Sequence, residues 1–148
     1  MPFTDALIQI IASFFGTLGF GFLFNIRGNK LIFAAVGGML AWGLFLLLGN
    51  VIENEALRYF LVSVCSTTYA EILARILKTP ATTFSIITLI PLVPGSALYY
   101  TATSVMNGST QQFISKLVYT IELAIALSLG IVIVTALFKY IKRFKKPD

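Results

Sequence analysis

The stretch that decides the fold is ATTFSIITLIPLVPGSALYYTATSV, residues 81–105. It has 25 residues and no charge, which is long enough to cross a hydrocarbon core of roughly 30 Å. Near its middle, Pro91 and Pro94 each remove a backbone donor and crowd the preceding turn, and Gly95 permits dihedral angles that other residues resist. The pattern predicts a membrane helix that is broken at its centre, with a simple proline kink as the alternative.

Hydroxyl side chains flank this break on both sides. In lipid, freed carbonyls are tolerated only where protein or a water-filled cavity satisfies them, and many secondary transporters build their solute site from broken helices. The break and its hydroxyls therefore predict a solute path rather than a helix that only faces lipid. The hydroxyl residues are Thr79, Thr82, Thr83, Ser85 and Thr88 before the break, and Ser96, Tyr99, Tyr100, Thr101, Thr103 and Ser104 after it.

The whole chain has the composition of an integral membrane protein. Its 148 residues are 57% hydrophobic and 11% charged, with a mean hydropathy of +0.89, whereas a soluble domain carries about 25% charge. We expect one all-α membrane bundle over residues 1–148, without a separate soluble domain. The start, MPFTD, lacks the positive segment of a secretory signal, so we expect the first span to be retained.

The composition also argues against catalysis and metal binding. The chain has no histidine, and its one cysteine, Cys65, lies within a hydrophobic segment. A tight metal site is therefore not expected, and no histidine is present to activate a nucleophile. We predict no cofactor and no enzymatic activity.

Five transmembrane spans are predicted, at residues 6–24, 31–49, 57–77, 81–105 and 117–138, followed by a basic tail at 139–148. With the C-terminus inside, nine cations lie on the cytoplasmic side and only Arg58 and Lys116 lie outside. This positive-inside bias predicts a multi-pass cell-membrane protein with its N-terminus outside and its C-terminus in the cytoplasm. The tail is expected to contact anionic lipid headgroups rather than nucleic acid.

Two carboxylates fall inside predicted spans, where charge is unfavourable and usually functional. Glu71 lies about 9 Å from the cytoplasmic end of the third span, and Glu122 about 7.5 Å from the outer end of the fifth. Ser63, Thr67, Glu71 and Arg75 recur at steps of four along one helix face. They predict either a polar stripe on a solute path or, for Glu71 and Arg75, a structural ion pair. Glu122 suits a proton-coupled carrier, or else it reaches the interface.

Several motifs resemble the small, five-span component of the threonine/serine exporter family. They are GTLGFG at 16–21 with Asn25, STTYAE at 66–71 with Arg75, and KTPATTF at 78–84 leading into IPLVPG at 90–95. The resemblance covers nearly the whole chain. It implies a ten-span exporter, in which a larger partner supplies a soluble N-terminal region and five further spans. It also implies export of threonine and serine or, as in some two-chain members, of small dicarboxylates.

The predicted function is therefore a subunit of a proton-coupled secondary transporter that exports small polar metabolites with a larger partner subunit. A homo-oligomer is an alternative assembly, and a non-transporting scaffold of another complex is an alternative function. Free carbonyls near Thr88 and free amides near Ser96 and Ala97 would suit a zwitterionic amino acid. The candidate transport residues are Thr67, Glu71, Thr82, Thr88, Pro91, Pro94, Gly95, Ser96 and Glu122.

Overall fold

A computed structural model describes residues 3–106, 108 and 110–144. Every regular element within these residues is helical, so the all-α prediction is confirmed. The helices are α1 (Phe3–Leu23), α2 (Asn29–Leu48), α3 (Glu55–Ile76), α4 (Ala81–Leu89), α5 (Gly95–Met106) and α6 (Thr110–Phe144), with a 3-10 turn at Ile90–Leu92 between α4 and α5.

The number of helices that could cross a membrane is smaller than predicted. Among the described residues, α1, α2 and α6 are long and apolar enough, and the bent segment from α4 through α5 makes a fourth if it is counted as one. Helix α3 has 22 residues, but it includes two acidic and two basic side chains. Length and hydropathy thus support three or four spans, not clearly five.

Helix α6 is much longer than the predicted fifth span. It has 35 residues, or about 52 Å at 1.5 Å per residue, because no proline or glycine interrupts the chain between Thr110 and Leu129. Gln111 and Gln112, which were predicted to lie in a loop, belong to its first turn. Residues 107, 109 and 145–148, including the end of the predicted tail, lie outside the described residues.

Helices α2 and α3 form the centre of the bundle. Helix α2 packs against α1, α3 and α4, and α3 packs against α2, α4 and α6, while α5 packs on α6. A Cβ atom on Gly38 would come within 2.7 Å of Thr17 Cγ2, and one on Gly37 within 2.6 Å of Tyr69 Cε1. These glycines therefore let α2 approach α1 and α3 closely.

Helices α3 and α6 run parallel to each other. At one end, the Tyr119 hydroxyl donates a hydrogen bond to the Glu55 carboxylate. At the other end, the Arg75 guanidinium lies 4.3 Å from the centre of the Phe138 ring. Because α4 follows the end of α3 and α5 precedes the start of α6, the segment between them connects opposite ends of the bundle.

Candidate solute-binding site

The prolines interrupt the helix between α4 and α5, whose two arms are bent by 59°. Pro91 and Pro94 cannot donate to the carbonyls of Ile87 and Ile90, four residues earlier. Instead, the Ile90 amide donates to the Ile87 carbonyl, and the Val93 amide donates to the Ile90 carbonyl at 3.1 Å. These tighter bonds satisfy the two carbonyls, so the first arm offers fewer free acceptors near Thr88 than the sequence predicts.

Gly95 contributes less to the break than predicted. It does not have a positive φ angle, unlike Gly28 and Gly108, and it begins α5 as an ordinary helical residue. A Cβ atom at this position would meet nothing within 4 Å. The break therefore does not use the conformational freedom that glycine permits, and the two prolines account for the geometry.

The first turn of α5 carries the unpaired donors of the break. The Gly95 amide donates to the Val93 carbonyl at 2.6 Å, and the Leu98 amide donates to the Pro94 carbonyl at 3.0 Å. Within the described residues, the amides of Ser96 and Ala97 have no protein acceptor. Ser96 is exposed, so its amide and hydroxyl are available to a carboxylate at the positive end of the helix dipole.

Two candidate threonines are buried in the bundle and differ in their hydrogen bonding. The Thr88 hydroxyl donates to the Phe84 carbonyl at 2.9 Å. Thr67 is fully buried, and its hydroxyl has no partner among the described residues. Because buried polar groups are nearly always paired, Thr67 is the better candidate to bind water or a polar solute.

A cleft of about 630 Å³, here called the basic cleft, lies between the end of α3, the start of α4 and the last third of α6. The candidate residues Glu71 and Thr82 both line it, together with Arg75. Arg75 Nη1 lies 3.0 Å from Glu71 Oε2, and the side chains of Glu71 and Arg75 are 13% and 47% exposed. The guanidinium thus partly covers the carboxylate and remains accessible itself.

A second cleft, of about 360 Å³, lies between α1, α2 and the 3-10 turn. Pro91 lines it together with four polar residues that sequence reasoning missed: Gln9, Ser13, Thr17 and Trp42. The Trp42 indole donates to Gln9 Oε1 at 3.2 Å. Gln9 is the only carboxamide in the first predicted span, and that isolated polar residue is a signal that could have identified the cleft.

The remaining candidates lie apart from the two clefts. Pro94 is buried at the break, while Glu122 and Ser96 are exposed on α6 and α5. Glu122 lies about 18 Å along α6 from its first residue, Thr110. The nine candidate residues therefore do not form one cavity. They are divided between two clefts, the buried interior and the bundle surface.

Apolar helices around two clefts, with a proline-bent segment among them, indicate a membrane protein. The chain belongs to the threonine/serine exporter family, because the family model described as Threonine/Serine exporter, ThrE, matches residues 9–137. The resemblance seen in the sequence motifs is thereby confirmed. No curated protein and no solved structure matches the chain significantly.

Proposed function

We propose that the chain is one subunit of a proton-coupled secondary transporter that exports threonine- and serine-type amino acids together with a larger partner subunit. The observation that carries the proposal is the bent segment from α4 to α5, with the unpaired amide of the exposed Ser96 at its second arm. Family membership supplies the transport class. The bent segment supplies a place for the solute, because broken helices commonly form such sites.

We propose that this segment crosses the membrane once rather than returning to the same side. Since α3 and α6 are parallel, the chain between them has to run from one end of the bundle to the other. Two arms of 12 residues, each about 18 Å long and bent by 59°, span about 31 Å from end to end. That length is close to the hydrocarbon thickness of roughly 30 Å.

We propose that α3 also crosses the membrane, which brings the total to five crossings with α1, α2, the bent segment and α6. Its 22 residues extend about 33 Å, and it packs against α2, α4 and α6. A helix that is surrounded by other helices does not need the hydropathy of one that faces lipid. Five crossings place the two ends on opposite sides, with the N-terminus outside and the basic C-terminus in the cytoplasm.

The choice between an amino acid and a dicarboxylate rests on the family rather than on the groups at the break. The unpaired amides of Ser96 and Ala97 suit a carboxylate, which both classes of solute have. The Ile87 and Ile90 carbonyls are already hydrogen-bonded, and Glu71 lies in the basic cleft, apart from Ser96. Because the matching family model is described as Threonine/Serine exporter, we propose threonine and serine as the solutes.

The partner is proposed to cover part of α6. Glu122 is exposed on this helix, and an ionised carboxylate that faces hydrocarbon is unfavourable by roughly 2.5–3.5 kcal/mol. A neighbouring membrane helix with a cation or polar group at that depth would remove this cost. A larger subunit with five further spans fits the proposal, and a second copy of this chain is the alternative.

Reconstitution tests the proposed function. The chain would be co-expressed with the larger family subunit from the same source, purified, and placed in vesicles loaded with labelled threonine, serine or succinate. We expect the two chains to co-purify and to release threonine and serine in a pH-gradient-dependent way, whereas neither chain alone does so. Efflux from this chain alone would contradict the proposed requirement for a partner subunit. Stable assembly of the two chains without any efflux would favour the scaffold function.

A further inference from the structure

We propose that the basic cleft binds the phosphate of an anionic phospholipid. Three lysines, Lys78, Lys139 and Lys142, line this cleft together with Arg75. Among the residues that the structure describes, Glu71 is the only carboxylate on its walls, and Arg75 Nη1 lies 3.0 Å from its Oε2. The lysines therefore leave an excess of positive charge after the ion pair is counted.

No carboxylate within the described part of the chain lies within 4.0 Å of the three lysines. The phosphodiester of an anionic phospholipid carries one negative charge on two non-bridging oxygens, which can accept hydrogen bonds from more than one ammonium group at once. One bound headgroup would thus contact several of these cations and reduce the excess positive charge of the cleft.

The tertiary structure brings these cations together from two distant parts of the chain. Lys78 lies in the turn between α3 and α4 and has a left-handed φ of 48°, which is uncommon for a residue other than glycine. The next amide, of Thr79, donates to the Ala74 carbonyl at 3.0 Å and holds this turn against α3. Lys139 and Lys142 are three residues apart on α6, a spacing that places them on adjacent positions of the helix surface.

The position and walls of the cleft favour a lipid over a free phosphate compound. Lys116 and Lys139 are separated on α6 by about 34 Å, close to the hydrocarbon thickness, so the topology proposed above places Lys139 at the level of the headgroups. Phe138, Ala74 and Pro80 supply apolar surface beside the cations. A basic cleft between helices is a known type of headgroup site and differs from the diffuse attraction of a basic tail to the membrane surface.

Native mass spectrometry of the purified full chain would test this site with phosphatidylglycerol, phosphatidylcholine and inorganic phosphate as probes. The variant K78Q/K139Q removes two cations from the cleft, and the control R27Q/K30Q removes two from the turn between α1 and α2. We expect K78Q/K139Q to weaken phosphatidylglycerol binding about 30-fold, at about fivefold for each lost cation, while R27Q/K30Q leaves it unchanged. The charge-conserving variant K78R/K139R should retain binding.

Three results would overturn the proposal. Equal losses in K78Q/K139Q and R27Q/K30Q would mean that only the total charge matters. Phosphatidylcholine binding as tight as that of phosphatidylglycerol would remove the requirement for an anionic lipid. Displacement of phosphatidylglycerol by an equal concentration of inorganic phosphate would assign a soluble phosphate ligand instead. If K78Q/K139Q does not fold, K142Q alone keeps the test available, with an expected loss of about fivefold.

Discussion

Gly130 of α6 lies directly against Ser63 of α3, whose side chain occupies the space that a Cβ atom would need at Gly130. That Cβ atom would also lie 2.9 Å from the Phe60 carbonyl oxygen and 3.0 Å from Ser63 Cβ. The two helices are therefore in near-backbone contact at this point, between the Tyr119–Glu55 and Arg75–Phe138 contacts. Together, the three contacts fix the parallel arrangement of α3 and α6, on which the proposed single crossing from α4 to α5 depends.

The contact at Gly130 predicts that Gly130→Ala destabilises the bundle. Alanine normally stabilises a helix relative to glycine by roughly 0.5–1 kcal/mol, but here the added methyl group meets backbone, and we expect a net loss of about 1–3 kcal/mol. The loss of stability can be measured by thermal unfolding in detergent, followed by the fluorescence of Trp42. Gly19→Ala is the matched control, because a Cβ atom at Gly19 meets nothing within 4 Å. Equal melting temperatures for the two variants would show that α3 and α6 can separate without loss.

Straightening the bent segment is predicted to abolish transport. Pro91→Ala with Pro94→Ala restores the two missing amide donors and favours a continuous helix, so the 59° bend should be lost and the unpaired amides of Ser96 and Ala97 should gain helical acceptors. Export by the reconstituted two-chain transporter measures the effect, with membrane insertion checked separately. Gly95→Ala is the control, since its Cβ atom meets no neighbour. Normal export by the double-proline variant would place the solute site elsewhere.

Substitution at Ser96 should weaken solute binding more than the same change further along α5. Ser96→Ala removes an exposed hydroxyl beside the unpaired amides, whereas the Thr103 hydroxyl already donates to the Tyr100 carbonyl at 3.1 Å. We expect the half-saturating threonine concentration to rise by about threefold to tenfold for Ser96→Ala, the loss of one hydrogen bond, and to stay the same for Thr103→Ala. Similar values for both variants would argue against α5 as the carboxylate site.

Glu71→Gln is predicted to reduce export and its pH dependence while insertion stays normal. Glutamine keeps the shape of the side chain and removes the titrating group, so the change separates proton handling from packing. If Glu71 serves only to neutralise Arg75, the double variant Glu71→Gln with Arg75→Gln should recover activity. Wild-type efflux and pH dependence in Glu71→Gln itself would limit this residue to a structural role.

Glu122→Gln is predicted to affect membrane insertion and subunit assembly in opposite directions. Insertion of this chain should improve slightly, because a carboxylate within the membrane is unfavourable by roughly 2.5–3.5 kcal/mol and glutamine is not charged. Export and co-purification with the larger subunit should both decrease if a partner cation pairs with Glu122. Ser128→Ala is a suitable control, since Ser128 is also exposed on α6 and its hydroxyl already donates to the Ala124 carbonyl. Unchanged co-purification in Glu122→Gln would remove α6 from the interface.

The sequence alone determined the class of the protein. A chain with a mean hydropathy of +0.89 and only 11% charged residues is typical of a protein embedded in a bilayer. Because backbone groups in lipid must be hydrogen-bonded internally, such a chain forms helices or a closed barrel. The sequence alone also identified the family, because short motifs such as KTPATTF and IPLVPG can be recognised without knowing how the helices pack. The interruption of the helix at Pro91 and Pro94 could also be predicted from the sequence, because a missing amide donor removes a hydrogen bond within the same turn of the helix.

Only the tertiary structure decided which of the polar residues meet. Glu71 and Arg75 were predictable as neighbours from their spacing of four, but the contacts of Arg75 with Phe138 and of Glu55 with Tyr119 join residues more than 60 positions apart. The cleft around Gln9 and Trp42 and the convergence of Lys78 with Lys139 depend on the same packing. Helical periodicity specifies one face of one helix. Which face meets which neighbour depends on close glycine contacts such as Gly130 against Ser63, and these arise only when the helices assemble.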